Sequence, residues 1–160
     1  MIRILGIDPG TQVTGVGLID VDEQGEPGLC YYGCIHTNRK QSLPLRLKQI
    51  YNDLAEIIEK YKPDYIALED IFYSDNVKTA IVMGHARGVS LLAPVHKGIE
   101  PAEYSPREVK LAVVGRGNAS KSQVQFMVKS ILKINNSELP LDAADALAVA
   151  LCHFHRVQNK

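Results

Sequence analysis

A chain of 160 residues can bury one sizeable core, since a domain of about this size hides roughly 68–70% of its unfolded surface; residues 1–160 read as a single domain. With 46% hydrophobic and 22% charged residues, no basic-then-apolar leader and no apolar run near the ~20 residues needed to cross a bilayer, the composition excludes a membrane span and predicts a cytoplasmic globular protein. Eighteen basic and eighteen acidic residues cancel, so the net charge of +0 gives no reason to expect a polyanionic partner.

The first predicted element is a short apolar strand, Ile2 to Ile7, which does not alternate cleanly and so is expected to be buried on both faces. It ends in Asp8. Pro9-Gly10 then turns the chain, and a second strand returns over Val13 to Val21, a hairpin with Asp8 at its mouth. Gly15 and Gly17 leave one face of that strand bare, which predicts a close approach by another backbone or a ligand. After the Asp22 to Gly28 turn cluster, Leu29 to Thr37 reads as a third strand completing an antiparallel meander. Ser42 is the expected cap of a helix whose Leu47, Ile50, Tyr51, Leu54, Ile57, Ile58 and Tyr61 recur at helical steps. Pro63 stops it. Asp64 to Glu69 is a strand, parallel to the first because a crossover helix precedes it, and it carries Glu69 at its carboxyl end.

Val77 to Leu92 is a long helix with Ala80, Gly84 and Gly88 on one ridge, fit either for packing on its own sheet or for a second helix, and Pro94 is expected to end it. Ile99 to Tyr104 is a further strand. Ser105-Pro106 opens a helix to Val114, a basic loop runs from Gly115 to Lys121, and Ser122 to Lys133 is amphipathic again. From Ser105 to Lys133 six basic residues (Arg107, Lys110, Arg116, Lys121, Lys129, Lys133) face one acid, Glu108. That bias suits either a phosphate-binding face or simply solvated helices. Asp142-Ala143-Ala144-Asp145 opens a last helix, with both acids on one face about a turn apart. Cys30, Cys34 and Cys152 lack CxxC spacing and read as reduced, packed thiols.

Pairing of the first and fourth strands would bring Asp8 and Glu69 to one edge, where Asp142 and Asp145 can join them. Taken singly, each acid has a plain structural role as turn former, strand end or helix charge. Together they repel one another, and a divalent cation relieves that cost. Oxygen-only ligands select Mg²⁺ or Mn²⁺ over Zn²⁺, and two such ions about 3.5–4 Å apart can drive phosphodiester hydrolysis.

With these residues in place the chain resembles the bacterial RuvC family of Holliday-junction resolvases. The resemblance spans nearly the whole chain: GIDPG then VTG, PDYIALE followed by Phe72, ARGV around Arg87, VK and VVG around Lys110, KSQVQ from Lys121, and DAADALAVA from Asp142. It implies an RNase H-like α/β fold, with a mixed five-stranded sheet flanked by helices, and a homodimer that nicks two opposed strands of a four-way junction. It further implies that Asp8, Glu69, Asp142 and Asp145 form the metal-binding tetrad of the site, holding two Mg²⁺ ions per active site, with Mn²⁺ able to substitute, and it suggests that a DNA backbone comes close at the bare Gly15 and Gly17.

 Lys110 and Lys121 match basic positions expected to hold the scissile phosphate and the charge that develops on it. Phe72 matches an aromatic expected to stack on a base near the crossover, and Arg116 is a further expected DNA contact. Lys129 and Lys133 are placed for backbone contacts without a catalytic part. The resemblance also implies cooperation with the RuvA tetramer and the RuvB branch-migration motor.

Two other classes compete. Gly6 to Thr11 also resembles the first phosphate loop of actin-like and sugar-kinase ATP-binding domains, which need a second phosphate loop and about twice the length. A non-catalytic junction-binding module would keep the basic half of the chain but has little use for four convergent acids.

Overall fold

The computed structural model describes residues 1–70, 75–135 and 138–160. Strand β1 (Ile2–Asp8) lies inside a five-stranded sheet, and Ile4, Leu5 and Ile7 are all but inaccessible to water. β2 (Val13–Val21) returns antiparallel beside it, and β3 (Pro27–His36) runs antiparallel to β2. Helix α1 (Leu43–Tyr61) crosses over to β4 (Tyr65–Glu69), which pairs parallel to β1. Helix α2 (Val77–His96) then leads to β5 (Ala102–Tyr104), parallel to β4, giving the order β3-β2-β1-β4-β5. Helices α3 (Pro106–Val114), α4 (Lys121–Ile131) and α5 (Leu141–Gln158) complete the chain. The expected α/β fold, a meander followed by parallel strands, is what forms.

Side chains alternate across a strand, so β1 feeds two cores. Leu5 and Ile7 join Ile50, Leu54 and Ile58 of α1 on one side, while Ile4 joins Leu147 and Leu151 of α5 on the other. Asp8 shares the face of Ile4 and Gly6, the face that α5 covers.

Three glycines decide how closely α5 can lie. A Cβ on Gly6 would stand 1.9 Å from the Ala146 carbonyl oxygen, one on Gly15 2.0 Å from that of Asp142, and one on Gly17 2.6 Å from Leu147 Cγ. Gly6 pairs with Gly17 and Asp8 with Gly15, so the three make a bare track across β1 and β2. The close approach expected at Gly15 and Gly17 is real, but the occupant is α5 and not a DNA backbone. The Ala-rich sequence of α5 is the complementary surface: Ala143, Ala144, Ala146 and Ala150 are fully buried.

Two helices open with the reciprocal caps their sequences predict, and two ends depart from expectation. Ser105 with Glu108, and Ser120 with Gln123, form reciprocal capping boxes at α3 and α4. Ser42 takes the cap position of α1, but its side chain makes no capping bond. Pro94 does not end α2, which runs on to His96; the amides of Lys97 and Ile99 bond the Pro94 carbonyl and that of Gly98 bonds Val95, closing the last turn. Gly84 and Gly88 have nothing within 4 Å of where a Cβ would be, so the ridge they form does not pack on this sheet. Among the described residues, no helix is long and apolar enough to cross a membrane.

Candidate active site

β1 and β4 are parallel neighbours with Ile7 opposite Leu68, so the next residues, Asp8 and Glu69, end the two strands side by side. The glycine track holds the first turns of α5 against this edge. Asp142 lies in the first turn of α5 and Asp145 three residues further along the same face. One carboxylate oxygen from each of Asp8, Asp142 and Asp145 lies within 4.8 Å of the other two. Glu69 stands outside that trio but lines the same cavity of about 420 Å³, together with Lys110 and Lys121.

The charges in this cavity oppose one another. Burial pushes Asp8 up to about 8, with repulsion from Glu69, Asp145 and Asp142 adding to it and Lys121 opposing it. Burial likewise raises Glu69 to about 7, helped by Asp145 and resisted by Lys121 and Lys110. Asp145 is raised by burial too, with Lys121 pulling the other way. The Lys121 ammonium lies 3.8 Å from the Asp145 carboxylate, yet its side chain is 79% exposed, which leaves it free to meet an incoming anion. An all-oxygen donor set with this much mutual repulsion fits a divalent cation, whose charge would reverse the penalty.

The Pro9-Gly10 turn is closed on itself. Thr14, fully buried, accepts from the Gly10 amide at 3.3 Å and donates to the Gly10 carbonyl at 2.8 Å. Its amide is therefore engaged within the turn rather than turned out as a phosphate cradle.

Of the residues expected at the site, Asp8, Glu69, Asp142, Asp145, Lys110 and Lys121 meet in one cavity. Arg116 is exposed in the turn between α3 and α4 and does not line it. Phe72 lies outside the described residues. Two contributions were not anticipated. The glycine track sets the position of Asp142, a role signalled by bare strand glycines and an Ala-rich helix in the same chain. His153, near the end of α5, is buried, and a 2.8 Å hydrogen bond joins its Nδ1 to the Tyr104 hydroxyl.

A cluster of carboxylates at the ends of two parallel central strands, completed by a helix lying across the sheet, gives a candidate divalent-cation site on an RNase H-like fold. A family model described as "Crossover junction endodeoxyribonuclease RuvC" matches residues 4–153. A crossover junction endodeoxyribonuclease RuvC of Syntrophomonas wolfei is 51% identical over 153 residues, covering 96% of this chain and 88% of its own. That of Desulforamulus reducens is 48% identical over 151 residues, covering 94% and 91%. The solved structure of T. thermophilus RuvC in complex with a Holliday junction substrate superposes with a TM-score of 0.93 at 30% identity, covering 99% of this chain and 96% of that one. The chain belongs to the RuvC family of crossover junction endodeoxyribonucleases.

Proposed function

We propose that this protein resolves four-way DNA junctions by hydrolysing one phosphodiester in each of two opposed strands. The observation that carries the reading is the meeting of four carboxylates from three distant segments with two lysines in one cavity. Asp8, Glu69, Asp142 and Asp145 would hold two Mg²⁺ ions, with Mn²⁺ able to replace them. Bound there, such ions activate water and stabilise the leaving oxygen of an in-line displacement. Lys110 and Lys121 hold the scissile phosphate and offset the charge that develops on it. Arg116 contacts the DNA backbone beyond the cavity, and Phe72 stacks on an unpaired base.

Two opposed nicks call for two sites related by a two-fold axis, as a homodimer supplies. The outer face of α2 suits that contact: Ile81, Leu92 and Val95 are exposed beside the open Gly84 and Gly88. A Gly88→Arg chain should sediment as a monomer and lose the pairing of its nicks. In the cell the junction would arrive through the RuvA tetramer and the RuvB motor, a partnership supported by family membership alone.

Asp8→Asn tests the assignment. Nicking of a synthetic junction in Mg²⁺ should be abolished while junction binding survives; nicking at the wild-type rate would sink it.

A further inference from the structure

We propose that Arg87 is a positioning residue for cleavage: it fixes the peptide group after Glu69 and, itself anchored by Glu103, engages the Asp70 carboxylate, leaving Glu69 as the β4 ligand. The proposal rests on the cation-site reading above.

Arg87 projects from α2 with only 12% of its side chain exposed. Its Nη1 donates to the Glu69 carbonyl oxygen at 2.8 Å. The amide on the other side of that same peptide, Asp70 N, donates to the Tyr104 carbonyl oxygen at 2.7 Å. Both polar atoms of the Glu69-Asp70 peptide are thus held, one from a helix and one from the neighbouring strand. A carboxylate three bonds from a fixed backbone has few places to go, which is what a cation ligand requires.

The second nitrogen does different work. Arg87 Nη2 pairs with Glu103 and lies 3.3 Å from Asp70 Oδ1. Asp70 follows Glu69 directly and lines the catalytic cavity. Two adjacent acids at one strand end would compete for the same cation, and the guanidinium engages the second of them. Only a planar fork with several donors can bond a carbonyl and two carboxylates together, which an ammonium cannot do in the same geometry.

Mn²⁺ binding to the full-length protein, measured by calorimetry, tests this with Asp8→Asn as the reference. Arg87→Gln should weaken binding by about 10–100-fold, while melting temperature and junction binding in EDTA stay close to wild type. Arg87→Lys, which keeps the charge and guards against a folding defect, should fall between the two. Asp70→Asn added to Arg87→Gln should recover part of the lost affinity. Unchanged Mn²⁺ affinity in Arg87→Gln, or a loss that Asp70→Asn leaves untouched, overturns the proposal. If the wild type binds Mn²⁺ no better than Asp8→Asn does, the cation-site reading falls and this proposal with it.

Discussion

Gly15 faces the backbone of Asp142 so closely that a single methyl group would stand 2.0 Å from its carbonyl oxygen. An acid of the candidate site is therefore placed by the absence of a side chain on a different element. Gly15→Ala must push the first turn of α5 off the sheet, at a cost of about 1–3 kcal/mol for overpacking. Asp142 moves with it. The expected outcome is a folded protein with a lower melting temperature and a much larger proportional loss of junction nicking. Full activity in Gly15→Ala would show that α5 tolerates the shift.

Stability should depend on pH in an unusual direction when divalent cations are removed. Asp8 at about 8 and Glu69 at about 7 lie far above their ordinary values of 3.8 and 4.5. In that interval the folded protein keeps protons that the unfolded chain has released, so stability falls as pH rises and the loss is complete above the folded values. Thermal melts in EDTA from pH 6.5 to 8.5 should show a falling melting temperature. Mg²⁺ should restore it most at the high end, because cation binding competes with those protons. Asp8→Asn should flatten the EDTA profile.

Lys121 supplies positive charge to the same cluster, opposing the upward shifts of Asp8, Glu69 and Asp145. Lys121→Gln should slow nicking by about 10²–10³-fold, the scale for losing one donor to a developing oxyanion. It should also steepen the fall in stability with pH in EDTA, since the repulsion then goes unopposed. Measured nicking rates and melts on one preparation separate the two effects.

The acidic cluster was legible because each acid closes a recognisable pattern: an apolar run before Pro9-Gly10, the strand after Lys62-Pro63, and the first turns of an Ala-rich helix. What could not be read was which surface meets which. Gly15 and Gly17 announce a close approach without naming the partner, and only the packing of α5 identifies it. Pro94 stands where helices usually stop; its missing amide leaves one helical hydrogen bond unmade, but the bonds from Lys97, Gly98 and Ile99 still close the turn beyond it. His153 sits near the end of α5, where a charge would be welcome; its depth is set by Tyr104 and Tyr65, which come from other elements. Arg87 is visible as part of a motif, whereas its hold on Glu69 depends on the crossing of α2 and β4.

The Tyr104 and His153 pair should behave as a unit. One ring nitrogen of His153 is bonded to Tyr104, while Nε2 is buried with no partner among the described residues. Burial holds this histidine below its ordinary value, because a second ring proton would have nothing to bond. Tyr104→Phe removes the one bond and should cost about 1–3 kcal/mol, the penalty for stranding a buried polar atom. Replacing both partners, Tyr104→Phe with His153→Leu, removes the stranded groups together and should recover part of that loss. The sign of the pH effect is opposite to that of the acids: below 6.5 the unfolded chain gains a proton that the folded one resists, so stability drops with falling pH. Acid melts of Asp8→Asn, with the carboxylate contribution reduced, should reveal this drop, and the double variant should lessen it. Equal acid sensitivity in both would place its origin elsewhere.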